Sequence, residues 1–227
     1  PKPRIEVKNL TVRGDDGVIK LKDITFTAFS GEILGIAGIA GNGQKELLES
    51  IAGLQRTESG SICYVEDDGS REELIGKDPY KIANLGVALS FVPEDRLGMG
   101  LVGSMDITDN MMLRSYRKGK NHTEFLDRKS PKKLAEQIIR ELEVVTPGTS
   151  VPVRRLSGGN VQKILVGREI AFTPKVLMAA YPVRGLDINS SYTIYHLLTR
   201  QKENGVAVIF VGEDLDVLLA LCDRILV

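Results

Sequence analysis

Leu156-Ser157-Gly158-Gly159-Asn160-Val161-Gln162-Lys163 is the stretch on which the reading of the fold turns. A serine and two glycines at a helix start offer an anion a hydroxyl, several backbone N–H groups and the positive end of the helix dipole. By itself the pattern reads equally well as a plain serine N-cap. Downstream, apolar spacing predicts a helix over Val161–Ala171, a strand at Val176–Ala179 and a helix over Ser190–Lys202 stopped by Gly205. A strongly apolar strand follows at Val206–Val211, then a helix over Leu215–Leu221 and the start of a strand at Ile225–Val227.

Upstream the texture differs. From Asp106 to Glu143 the pattern is helical, with Ser130-Pro131 as a helix start and Leu134, Ile138, Leu142 and Val145 on one face. Further back, Ile5–Val7, Ile19–Phe29 (apolar at Leu21, Ile24 and Phe26), Ile33–Ala37, Ser61–Val65 and Val87–Val92 read as strands. A helix carrying Leu47, Leu48 and Ile51 ends at Gly53, and Glu66–Ser70 reads as a solvated turn. Strands alternating with helices imply a parallel sheet covered on both faces. The expected architecture is an α/β core (1–96 and 161–227) with an antiparallel β layer, plus a helical lobe at 97–160.

Composition narrows the function. Thirty basic residues balance thirty acidic ones in 227, which argues against a nucleic-acid partner. Hydrophobic residues make up 42% and charged residues 26%, as in an ordinary globular protein. No apolar run approaches the ~20 residues that span a bilayer, no signal-peptide pattern is present, and Pro1 reads as a boundary within a longer chain. Cys63 and Cys222 lack metal-ligand spacing and read as small buried residues, with a disulfide left open. His122 and His196 are isolated, so surface or core roles are expected. Arg114–Lys133 holds eight basic residues, interrupted by Glu124 and Asp127, and reads as a solvated helical face.

A second glycine-rich stretch, Gly38-Ile39-Ala40-Gly41-Asn42-Gly43-Gln44-Lys45, follows a predicted strand and precedes a predicted helix. That context suits a phosphate-binding loop, whose glycines let backbone N–H groups converge on an anion. Against G-x-x-x-x-G-K-S/T, Gly38 and Gly43 match. Gln44 stands where the lysine belongs, and Lys45 where the Mg²⁺-binding hydroxyl belongs. Gln44 donates hydrogen bonds but brings no net charge. Lys45 is rotated by about 100° around the helix axis and is not expected to replace the lysine.

Taken together, the two stretches resemble the phosphate loop and LSGGQ signature of ABC ATPases. The LSGGN form followed by Gln162-Lys163 is similar to the sugar and nucleoside importer branch. Other segments fall in the same order over essentially the whole chain. Gly31-Glu32-Ile33-Leu34-Gly35 resembles the strand entering the phosphate loop. Val92-Pro93-Glu94-Asp95-Arg96 resembles the Q-loop region of the second ATPase domain of those importers. Pro182–Asp187 resembles the segment ending in the D-loop, and Val211–Leu215 occupies the switch-loop position. The Ala179-Ala180-Tyr181-Pro182 variant resembles nucleoside-type importers related to basic-membrane-protein systems.

The resemblance also marks departures. The family's metal aspartate and water-activating glutamate correspond to Ala180 and Tyr181, its switch histidine to Glu213 and its Q-loop glutamine to Glu94. Phosphoryl transfer depends on positioning and charge compensation, so efficient hydrolysis at this chain's own loop is not expected, and no catalytic residue is assigned. Gly38, Gly41, Asn42, Gly43, Gln44 and Lys45 are expected to hold phosphate or ATP weakly, without tight Mg²⁺ dependence. Ser157, Gly158, Gly159 and Asn160 are expected to cap ATP held by a partner domain, with Asp187 communicating across that interface. The resemblance implies an N-terminal ATPase domain in the same polypeptide, transmembrane permease subunits and, indirectly, a substrate-binding protein. It places the chain at the cytoplasmic face of the membrane, with the basic stretch near the anionic leaflet. Alternatives are an autonomous ATPase with an unorthodox site, or a soluble ABC protein outside transport.

Overall fold

A computed structural model of the chain describes residues 1–39, 41–91, 101–115 and 129–227. These residues form two compact units. One comprises Pro1–Leu89, Thr173–Tyr181 and Tyr195–Val227, the other Ser90–Phe172 and Pro182–Ile194.

The first unit holds two sheets. Strands β1 (Pro3–Arg13), β2 (Ile19–Phe29), β4 (Ser59–Val65) and β5 (Arg71–Glu73) form an antiparallel layer in the order β2-β1-β4-β5. The buried apolar positions on β1 are Ile5 and Val7, then Leu10 and Val12, so the period-two pattern slips by one residue midway. The slip is a bulge. Asn9 turns left-handed at φ 48°, and the pairing register breaks between Val7 and Leu10. Asn9 Nδ2 donates to Asp23 Oδ1 at 2.6 Å, holding the kink to β2. On the other side Gly60 comes so near that a methyl group there would lie 2.5 Å from Asn9 O. Only glycine tolerates that approach, at its φ of 104°.

The second sheet has the order β6-β7-β8-β3-β9, from β3 (Ile33–Ile36), β6 (Val87–Phe91), β7 (Val176–Ala180), β8 (Ala207–Val211) and β9 (Arg224–Leu226). β3 pairs parallel with both β8 and β9, and β7 pairs parallel with β8. Every residue of β3, β7 and β8 is buried, which explains why these strands read as unbroken apolar runs rather than alternating ones. Each large aliphatic side chain so covered contributes about 1.5–3 kcal/mol. Helix α1 (Gln44–Ile51) follows β3, and α7 (Leu215–Leu221) follows β8. Gly35 lets the end of α7 close on β3, since a methyl group there would meet Cys222 Sγ at 2.7 Å. Cys63 and Cys222 are free thiols, half-buried rather than fully buried, and burial pushes the Cys222 thiol up to about 11.

Two elements of this unit escape the apolar periodicity. β5 completes a hairpin across Glu66–Ser70, so the expected solvated turn is a hairpin turn, with Glu66 N donating to Ser70 O at 2.9 Å. Helix α2 (Pro79–Leu85) is short and buries only Ile82. A cluster of charges also pins the layer. Arg4, buried, donates to Val65 O at 3.1 Å and pairs with Asp67, and Lys175 Nζ reaches the other Asp67 oxygen at 2.9 Å. The two cations, foremost Arg4, hold the Asp67 carboxyl down at about 2.

The second unit is helical: α3 (Ile107–Ser115), α4 (Lys129–Glu141), a single 3-10 turn at Val153–Arg155 and α5 (Gly158–Ala171), with the first part of α6 (Ile188–Glu203). It is larger than the expected 97–160 lobe. Packing carries α5 into it, because a methyl group on Gly167 would lie 2.7 Å from Leu142 Cδ1 and 3.0 Å from Ile138 Cγ2. Buried Gln162 donates to Pro182 O at 3.0 Å, which ties in the segment after β7. Two expectations about α4 need correction. Helix α4 already includes Lys129, so Ser130 lies inside its first turn rather than capping it. The helix ends at Glu141 and Glu143 turns left-handed at φ 51°, so Val144 is buried in place of Val145, which is 78% exposed.

Asn110, fully buried, organises the start of this unit. Its Oδ1 accepts from Val102 N at 2.7 Å, and its Nδ2 faces the carbonyls of Val102, Met105 and Asp106 at 2.9–3.3 Å. Behind it, Arg168 and Glu169 pair at 3.1 Å in the interior, and Arg168 also reaches Asn110 O.

Candidate functional site: two glycine-led helix starts

The loop between β3 and α1 turns through three glycines with positive φ: Gly38 at 152°, Gly41 at 92° and Gly43 at 98°. Gly43 is the N-cap of α1, where a methyl group would lie 2.6 Å from Lys20 O. Such a nest of N–H groups at a helix start is the geometry that binds phosphate. Here the chain itself enters the nest. Gln44, only 6% exposed, folds back so that Nε2 donates to Ile39 O at 3.1 Å and Oε1 accepts from Asn42 N at 3.1 Å. Nε2 also lies 2.5 Å from where a Gly38 methyl group would sit. The Asn42 N–H is shared with Ile39 O at 3.2 Å. A neutral amide thus lies against the loop and engages one of its donors.

Lys45 points elsewhere. It is exposed, and its Nζ lies 3.8 Å from Glu49 Oε1, one helical turn on. Burial raises the Glu49 carboxyl above its ordinary value, and the Lys45 ammonium partly offsets this. At the end of β7, Ala180 pairs with Val211, and Tyr181 turns left-handed at φ 51° while its N–H donates to Val211 O at 2.8 Å. Neither position offers a carboxylate. Among the described residues no group of three or more His, Cys, Asp or Glu is placed to hold a metal. Lys45, Ala180 and Tyr181 themselves bring no carboxylate that could hold a magnesium ion.

The second helix start lies in the helical unit. Ser157 is the N-cap of α5, with extended backbone (φ −63°, ψ 154°), and it is exposed. Asn160 folds sideways onto the segment before it, accepting from Val145 N at 3.0 Å and donating to Val145 O at 3.2 Å. Its Nδ2 also donates to Ser157 Oγ at 3.0 Å. A methyl group on Gly159 would lie 3.3 Å from Leu186 Cδ2, so glycine there lets the 186–190 segment approach the turn.

Asp187 sits in that segment as the N-cap of α6. Its carboxylate accepts from Ser190 N at 2.9 Å and from Ser190 Oγ at 2.8 Å. Those bonds, the backbone one foremost, hold its carboxyl below the usual range. Glu213 is exposed just after β8, and the next residue, Asp214, caps α7. Glu94, the other named loop position, lies outside the described residues, as do His122 and positions 116–128 of the basic stretch; His196 is exposed on α6. Sequence reasoning missed the inward fold of Gln44, the Asn160 clamp and the Asn110 hub. Only Asn110 left a trace in the sequence, as a polar residue inside an apolar helical pattern.

A phosphate loop between a parallel strand and a helix, together with a serine–glycine helix start in a helical unit, defines the fold as that of an ATP-binding cassette, a class that binds ATP. The chain belongs to the ABC transporter family, whose profile it matches over residues 21–182. It is 36% identical over 224 residues to the guanosine import ATP-binding protein NupO of Bacillus subtilis, covering 98% of this chain and 42% of that protein. It is also 36% identical over 230 residues to the glucose import ATP-binding protein TsgD13 of Haloferax volcanii, covering 99% of this chain and 40% of that one. The chain therefore spans about two fifths of the length of these relatives. The fold is that of the ATP-binding cassette MJ0796, solved as a dimer in a post-hydrolysis state with ADP and Pi. The TM-score is 0.79 at 22% identity, over 97% of this chain and 92% of that one. Among the described residues no helix is long and apolar enough to cross a membrane.

Proposed function

We propose that this chain is the second, C-terminal nucleotide-binding domain of an ATP-driven importer for nucleosides or simple sugars, and that its chemistry is supplied in trans. Its own loop is degenerate. Its Ser157-Gly158-Gly159 turn completes an ATP site held by an N-terminal domain of the same polypeptide. The observation that carries this reading is the contrast between the two helix starts: Gln44 fills the first, whereas Ser157 stands exposed at the second. Relatives matched over about two fifths of their length leave room for the partner domain. The loop can still hold phosphate or ATP weakly, once Gln44 yields the Asn42 N–H, and without a magnesium requirement. Permease subunits and, through them, a substrate-binding protein complete the assembly at the cytoplasmic face of the membrane. Relatives named for guanosine and for glucose stand at equal identity, so both cargo classes remain within the proposal.

The test is Ser157→Ala in the assembled transporter. Loss of a donor aimed at transition-state charge lowers turnover by about 100-fold. Unchanged turnover would leave the signature without a role in trans. An autonomous ATPase would instead show turnover in this chain alone, and an ABC protein outside transport would co-purify without a membrane subunit.

A further inference from the structure

Asn160 binds in two directions at once. A primary amide has two N–H hydrogens and one acceptor oxygen. One hydrogen goes to Val145 O at 3.2 Å, the other to Ser157 Oγ at 3.0 Å, and the oxygen takes Val145 N–H at 3.0 Å. The orientation is dictated by the Val145 backbone, because a flipped amide would set oxygen against oxygen and N–H against N–H. Val145 is itself 78% exposed, so its side chain gains little from burial there. The amide bonds join buried Val144 and the Lys163 contact to Glu143 O in holding this backbone beside α5.

This arrangement determines what Ser157 does. A hydroxyl has one hydrogen and two lone pairs. Ser157 Oγ accepts from Asn160 Nδ2 at 3.0 Å and from Asn160 N at 3.4 Å, so both lone pairs face N–H donors. Its hydrogen is then directed away from both, at an exposed helix N-terminus. Without the Asn160 amide the hydroxyl keeps only the backbone bond from Asn160 N, and its other lone pair is open to water.

We infer that Asn160 is a positioning residue that fixes the Ser157 hydroxyl as an obligate donor toward an acceptor-only anion, the terminal phosphate of a nucleotide held by the partner domain. The inference rests on the trans reading above and names the residue that tunes its donor. A plain N-cap needs only the backbone bond to Ser157 Oγ. The Nδ2 bond adds nothing to capping, and its effect is to orient the hydroxyl.

A double-mutant cycle in the assembled transporter tests this, with kcat/KM for ATP measured in wild type, Ser157→Ala, Asn160→Ala and the double variant. Asn160→Ala should lower kcat/KM about threefold to tenfold, the size of one net hydrogen bond. The double variant should be no slower than Ser157→Ala alone, because the amide acts through the hydroxyl. An equal loss from Asn160→Ala in both backgrounds, or no loss in either, would overturn the inference and leave the trans reading standing. An unaffected Ser157→Ala transporter would overturn both. Where Asn160→Ala does not fold, Asn160→Ser carries the same cycle, with a neutral side chain too short to bridge Val145 and Ser157.

Discussion

The loop before α1 and the turn before α5 are both glycine-containing helix starts, and each carries a side-chain amide within reach. In the loop, Gln44 turns inward, its Oε1 on Asn42 N and its Nε2 on Ile39 O. In the turn, Asn160 reaches sideways to Val145 and leaves the hydroxyl of Ser157 facing outward. The same functional group turns into the first loop and away from the second turn. Glycine spacing alone therefore does not define a phosphate site. What decides is where the nearest polar side chain directs its own donors and acceptors.

The comparison breaks first where the expected effect is largest. In the assembled transporter, Ser157→Ala should cost about 100-fold in turnover, whereas Gln44→Ala should change it by no more than a few-fold. Similar losses from both would make the two helix starts equal partners. Next comes the support of the signature unit. Asn110→Ala removes four buried hydrogen bonds and should lower unfolding free energy by about 2–3 kcal/mol, read by urea denaturation of this chain.

A gain of function sharpens the contrast further. Gln44→Lys combined with Lys45→Ser restores the cation and hydroxyl that the loop lacks. ATP affinity in calorimetry should rise about tenfold or more, the worth of a charge-assisted hydrogen bond. No gain would mean that the loop backbone, rather than the amide, limits binding.

The smallest effect concerns the unit that carries the loop. Asp67 is held down at about 2 from an ordinary 3.8 by Arg4 and Lys175. A depressed carboxyl contributes stability that is present above its unfolded value and is lost as pH falls through the folded value. Asp67→Asn should therefore lower the Tm at neutral pH, with the difference from wild type shrinking as pH falls from 3.8 towards 2 and disappearing below that. A difference that stays at full size down to pH 2 would point to packing instead.

Much of the architecture was legible because its signals are local. Fully buried strands such as Val176–Ala180 and Ala207–Val211 read as apolar runs, and the predicted Leu215–Leu221 helix has the same bounds in the structure. Helix α2 was passed over although Asp78-Pro79 and Gly86 mark its ends; Asp78 caps it by accepting from Tyr80 N. β5 was missed because three polar residues carry no period, although the Asp68-Gly69 turn signals a hairpin. The Asn9 bulge and the reach of the helical unit through α5 depend on cross-strand and helix–helix contacts that no local pattern encodes. The residues of both helix starts were named from their order, yet the direction of the Gln44 and Asn160 side chains required the folded backbone.

On the trans reading this chain's own loop does no chemistry. The sharpest test is calorimetric titration of the chain with ATP, with and without Mg²⁺, beside a phosphate-release assay. Weak binding that is indifferent to Mg²⁺, with no phosphate release, is the expected result. Clear Mg²⁺-dependent hydrolysis by the chain alone would contradict it, because residues other than Gln44, Lys45, Ala180 and Tyr181 would then be supplying the missing charge.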